Sequence, residues 1–162
     1  MENMKQSIAK AHELFLDAER REEWGDLHGA FKSLLAAAKL GDMMSAVNLG
    51  NFYSAGRGVR KDLKQAAYWY KRAYRLGDST GARNLAIDLE KEGNLRGAIA
   101  WLKRAGAMND GEANLKLARI YVERRNGTAK AIDLLKKTVK LSPSDVSDEA
   151  REQAEELLKH IS

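Results

Sequence analysis

Residues 66–73, AAYWYKRA, set Ala66, Trp69, Tyr70 and Ala73 at offsets 0, +3, +4 and +7. At 3.6 residues per turn those offsets fall on one stripe of an α-helix. The same offsets return at Ala98, Trp101, Leu102 and Ala105, then at Ala131, Leu134, Leu135 and Thr138. A weaker earlier copy reads Ala30, Ser33, Leu34 and Ala37, so the anchors stand 36, 32 and 33 residues apart. Self-similarity at that period marks stacked helical repeats.

A second kind of helix precedes each anchor helix. Ala46, Leu49, Gly50 and Tyr53 align with Ala82, Leu85, Ala86 and Leu89, and with Asn114, Leu117, Ala118 and Tyr121. The third member is always Gly or Ala, as required where two helix backbones approach closely. Residues 8–24 supply the first helix of the leading copy, with Ala11, Leu14, Phe15 and Ala18 on one face. Turn signals at Gly25-Asp26, Gly41-Asp42, Gly77-Asp78, Gly93-Asn94, Asn109-Asp110-Gly111 and Asn126-Gly127 separate the elements. Ser147 reads as an N-cap followed by two acids, and Ala150, Ala154, Leu157, Leu158 and Ile161 form one apolar stripe behind it.

The sequence therefore predicts an all-α fold, an α-solenoid of about four helix–turn–helix repeats closed by a C-terminal capping helix. It reads as one helical-repeat domain over 1–162, with units 1–42, 43–78, 79–110 and 111–143 and the cap at 147–161. Composition agrees: one proline and 13 glycines among 162 residues leave little punctuation for an all-β chain. With 44% hydrophobic and 31% charged residues, the chain suits a folded core rather than disorder or a membrane span. It has no cysteine, which removes disulfides, thiolate metal sites and a cysteine nucleophile. His12, His28 and His160 are scattered and make a poor ligand set. Residues 1–10 lack the apolar stretch of a signal peptide. The expectation is a cytoplasmic protein without metal or cofactor.

The stretch AVNLGNFYSAGRGV (46–59), followed by AAYWYKRAYRLG (66–77), resembles a Sel-one-like repeat, a relative of the tetratricopeptide repeat. The Leu-Gly pair, the Tyr, the Gly-x-Gly-Val turn, Asp62 and the Trp-Tyr pair stand where that family has them. The later units have shorter turns and look more like ordinary tetratricopeptide repeats, with Pro143 just beyond the final paired helix. The resemblance implies a helical scaffold that binds other proteins.

Residues suited to chemistry are sparse. GRGV (56–59) lacks the Lys-Ser/Thr of a P-loop and joins two helices, so it reads as a turn requiring positive φ. Asn126-Gly127-Thr128 fits a glycosylation acceptor but reads as a turn. His12 and His28 fall in one unit without a catalytic partner. Trp69, Tyr70 and Trp101 sit on the anchor stripe and read as core rather than a base-stacking platform. No enzyme is expected.

Charge is uneven. Residues 57–140 carry 20 Lys+Arg against 9 Asp+Glu, whereas 1–26 and 141–162 are net acidic. Dibasic pairs recur at Lys71-Arg72, Lys103-Arg104 and Lys136-Lys137. Such a row can track phosphates, but cations there also complement helix C-termini and cover the core with their stems. Nucleic-acid binding is therefore a remote reading. On the first helices, offsets −2 and +1 from Gly50, Ala86 and Ala118 select Asn48, Asn51, Asn84, Ile87, Lys116 and Arg119, flanked by Arg83 and Lys91. In such stacks these helices line the concave side. This set is similar to the Asn/Lys/Arg clamp with which some tetratricopeptide repeats hold a peptide carboxylate. The expected role is non-enzymatic binding of a partner protein or acidic peptide, as adaptor or inhibitor. The resemblance also implies an alternative, a bacterial immunity protein that neutralises a toxin by binding it.

Overall fold

The computed structural model describes residues 2–124 and 127–162; Asn126, in the turn and acceptor patterns noted above, lies outside them. Nine helices are present among the described residues: α1 (Glu2–Glu23), α2 (Leu27–Lys39), α3 (Met43–Ala55), α4 (Leu63–Arg75), α5 (Ser79–Lys91), α6 (Leu95–Ala107), α7 (Gly111–Val122), α8 (Thr128–Val139) and α9 (Asp148–Ile161). No strand occurs among them. The chain divides inside α5 into two compact units, one ending at Asp88 and one beginning at Leu89.

Gly-Asp and its variants both stop one helix and start the next. At the end of α2, Gly41 takes a left-handed φ of 97° and donates to Ala38, while Asp42 donates to Ala37. This closes the last turn and satisfies carbonyls that have no partner within the helix. Asp42 then turns its side chain to the amide of Ser45, 2.6 Å away, and caps α3. The same double use recurs at Gly25-Asp26, Gly77-Asp78, Gly93-Asn94 and Asn109-Asp110. Asn109 has a φ of 65°, a conformation asparagine tolerates better than most residues.

The loop between α3 and α4 is longer and is pinned to the preceding hairpin. Gly56 and Gly58 have φ of 73° and 63°. A Cβ on Gly58 would run into the Leu27 carbonyl. His28 Nδ1 lies 3.1 Å from the Gly58 carbonyl oxygen. Arg57 pairs with Glu22 at 2.8 Å and covers the Phe52 ring. The GRGV stretch is thus a structural turn.

In the first unit, α1 packs on α2, α2 on α3 and α3 on α4. Their core joins Phe15, Phe31, Leu34, Leu49, Phe52 and Trp69 with interleaved alanines. Gly50 lies against the ring of Tyr70, and a Cβ there would overlap the ring. The small residue of the first-helix motif thus makes room for the large residue of the second. Ser33, a polar member of the anchor stripe, is buried and donates to Asp17 at 2.6 Å. Asp17 also accepts from Arg21 at 2.7 Å and Arg20 at 2.9 Å. The Ser33 hydroxyl, then the two guanidiniums, hold its carboxyl well below the ordinary value of 3.8.

In the second unit, α6 packs on α7, α7 on α8, and α9 on both α7 and α8. Ala98, Leu102 and Ala105 are buried, as are Ala131, Leu135 and Thr138. The +3 positions are not: Trp101 and Leu134 are only half-buried, unlike Trp69. Trp101 thus departs from the expected core role, although it shares with Trp69 an arginine three residues on that covers its ring: Arg104 lies 4.5 Å from the centroid, as Arg72 lies 5.3 Å from that of Trp69. The capping helix follows its pattern at its start, while Leu157, Leu158 and Ile161 of the stripe are only half-buried. Ser147 caps it through the Ala150 amide, and Ala150 and Ala154 are buried. Arg151 donates to the carbonyls of Val139 and Leu141 at 2.6 and 2.9 Å, closing the end of α8.

Three outcomes test this packing. Gly50→Ala is expected to destabilise the fold by about 1–3 kcal/mol in urea unfolding, because overpacking outweighs the helix-propensity gain. Asn114→Ala is expected to be neutral or stabilising, by up to about 1 kcal/mol, because it removes a buried Nδ2 that has no hydrogen-bond partner among the described residues. Asp17 has a depressed folded-state pKa, so its contribution is complete above the ordinary 3.8 and is lost as pH falls below that value. The thermal midpoint of Asp17→Asn should therefore lie below the wild type at neutral pH and converge on it in acid.

Candidate interaction surface

The first-helix positions selected from the sequence fall into two groups, one in each unit. In the first unit, Asn51 and Asn84 meet. Asn51 Oδ1 accepts from Asn84 Nδ2 at 3.0 Å and from the Tyr70 hydroxyl at 2.9 Å. Tyr70 reaches this point because Gly50 leaves its ring a path between the helices. Burial, then the nearby charge of Asp88, pushes the phenol up, against a hydrogen bond with Ser54. The hydroxyl therefore stays protonated and remains a donor. Asn48, one turn before Asn51, is half-buried, and so is Arg83 beside Asn84. Part of the amide row thus ties α3, α4 and α5 together.

In the second unit, Lys116 and Arg119 lie in a cleft of about 470 Å³ between α7 and α9. Its floor is Leu115, Ile120 and Ala150, and its walls carry Glu90, Glu112, Glu123 and Glu149. Lys116 Nζ sits 2.6 Å from Glu90, so one ion pair spans from the end of α5 to α7. Arg119 donates to Gln153 Oε1 at 2.8 Å, and Gln153 Nε2 donates to Glu149 at 3.0 Å. Glu112 accepts the Ser147 amide at 3.0 Å, at the entry to α9. Lys91 is exposed at the end of α5. The two cations are therefore held by side chains of the same unit, among twice as many carboxylates.

The sequence reading missed the acidic walls. Glu149 and Gln153 directly precede the buried Ala150 and Ala154, so they flank the apolar stripe of α9. That adjacency was the available signal.

The dibasic residues also have local work. Arg72 stacks on Trp69 at 5.3 Å, and Lys137 donates to the Gly106 carbonyl at 3.0 Å, at the C-terminal end of α6. His12 lines an apolar cleft with Leu40, whereas His28 stands by Gly58, so the two mark opposite ends of the α1–α2 hairpin. Among the described residues, no group of three or more His, Asp or Glu is placed to hold a metal, and no helix is long and apolar enough to cross a membrane.

Residues 44–78 and 85–110 match the Sel1 repeat. No curated protein sequence matches the chain. A Sel1 repeat protein from Oxalobacter formigenes superposes with a TM-score of 0.62 at 19% identity, over 83% of this chain and 65% of its own. The protein c5321, a protective antigen of uropathogenic Escherichia coli with an SLR fold, gives 0.61 at 18% identity, over 83% of this chain and 33% of its own. MamA gives 0.58 at 19% identity, over 94% and 86%. The chain thus spans less than two thirds of the first two proteins, and at these identities the likeness is one of fold. Two stretches of the chain thus match the Sel1 repeat, within an all-α solenoid fold shared with Sel1-like repeat proteins.

Proposed function

We propose that this protein is a non-catalytic interaction module that grips a segment of a partner protein with the first helices of its repeats. Sel1 repeats commonly serve as protein-interaction modules, which supports the class. One observation carries the reading: the cleft between α7 and α9 has an apolar floor and a polar wall, and holds two of the selected residues, Lys116 and Arg119. Ligand sites commonly combine those features. Asn48, Asn51, Arg83, Asn84 and Lys91 are the proposed further contacts.

Elsewhere, Lys71, Lys103 and Lys136 are exposed on second helices. They offer pairing to an acidic patch on the partner. A toxin-neutralising immunity role is one form of the same activity, and the identity of the partner decides between it and an adaptor.

The test is affinity capture from the native host at physiological salt, with the Lys116→Ala/Arg119→Ala double variant alongside. Recovery of one stoichiometric protein, in a yield that the variant changes about tenfold or more, is expected. Recovery of none from the wild type would sink the reading. Unchanged far-ultraviolet circular dichroism of the variant separates lost contacts from lost folding.

A further inference from the structure

We infer that the α7–α9 cleft takes a basic segment, a stretch of partner chain that lays a Lys or Arg stem along Leu115, Ile120 and Ala150 and sets its charge among the carboxylates. The inference rests on the protein-binding reading and specifies the chemistry of what enters this cleft.

Four carboxylates line the cleft against two cations. The cations do not offset them evenly. Lys116 is committed to Glu90. Arg119, one turn before Glu123, gives its guanidinium to the neutral amide of Gln153 instead. The position of each acid matters further. Glu112 and Glu149 lie in the first turns of α7 and α9, where the helix dipole stabilises negative charge. Glu123 is the C-cap of α7, where the same dipole opposes it. Glu90 lies in the last turn of α5. With Glu90 offset by Lys116, Glu123 is the carboxylate least favourably placed, and the cleft lining as a whole is net negative.

An anionic group would have to displace Glu90 from Lys116 and enter against that potential. A guanidinium or ammonium finds the field already favourable. The floor is apolar, and a long stem laid over the little of it that stays exposed would complete its burial. A charge-assisted hydrogen bond to Glu123 would anchor one head, and Glu149, toward the other end of the cleft, would take a second cation of the same segment. The cleft thus selects the sign opposite to that of a carboxylate clamp.

The experiment uses fluorescence anisotropy on the full chain with two labelled nine-residue peptides. One alternates leucine with arginine, and the other has glutamate in place of arginine. The arginine peptide should bind at low salt and weaken as salt rises. It should lose at least about tenfold in affinity with Glu123→Gln/Glu149→Gln. The thermal midpoint of Glu123→Gln alone should hold or rise, since it removes an acid from a helix C-terminus.

Equal or tighter binding of the glutamate peptide would overturn the inference and leave the protein-binding reading standing. So would arginine-peptide binding that the double variant leaves unchanged, or no binding of either peptide. Sedimentation velocity covers one remaining occupant. Salt-sensitive self-association abolished by the double variant would assign the cleft to a second copy of the chain and overturn the inference as well.

Discussion

One residue pair governs how this chain folds back on itself. At each Gly-Asp junction, glycine takes a conformation that ends one helix, and the next residue donates its amide to that end while its side chain caps the following helix. Two helix ends are satisfied with no spare residues between them, so the turn has little freedom in its angle. A junction of that kind determines which faces of successive helices meet. The alternation of small and large residues along those faces then has a constant geometry to fit.

Within that constraint the core follows a simple rule. Alanine or glycine on one helix receives an aromatic or leucine on its neighbour, as Gly50 receives Tyr70. The arrangement tolerates polar members only where they find partners. Ser33 is buried because Asp17 accepts its hydroxyl, and Asp17 is in turn held by Arg20 and Arg21. Asn114 occupies the position of Ala46 and Ala82 and pushes its amide toward Gly106. There the repeat has drifted from the pattern, and its packing has adjusted around the larger side chain.

The same economy shapes the polar faces. Asn51 and Asn84 spend hydrogen bonds on each other and on Tyr70, whose phenol burial keeps protonated. In the second unit the cations of α7 are engaged within a cleft rich in glutamate. A charge count over the whole chain, which is positive, says little about a cleft whose local balance is negative.

Helix positions, their apolar stripes, the junctions and the capping helix were legible in the residues because each depends on near neighbours in the chain. Ala66, Trp69, Tyr70 and Ala73 announce a buried face through spacing alone, and Ser147 announces a helix start through its side chain. What lay beyond reach was every property that depends on pairing across long separations. Trp101 and Trp69 share an offset and an arginine three residues on, yet only Trp69 is buried, because what covers the rest of each ring comes from other helices. Lys116 reads as a free cation until α5 brings Glu90 beside it, and Arg119 until α9 brings Gln153. Periodicity reports which way a side chain faces. The charge it meets there is set by residues tens of positions away, brought close only when the helices pack.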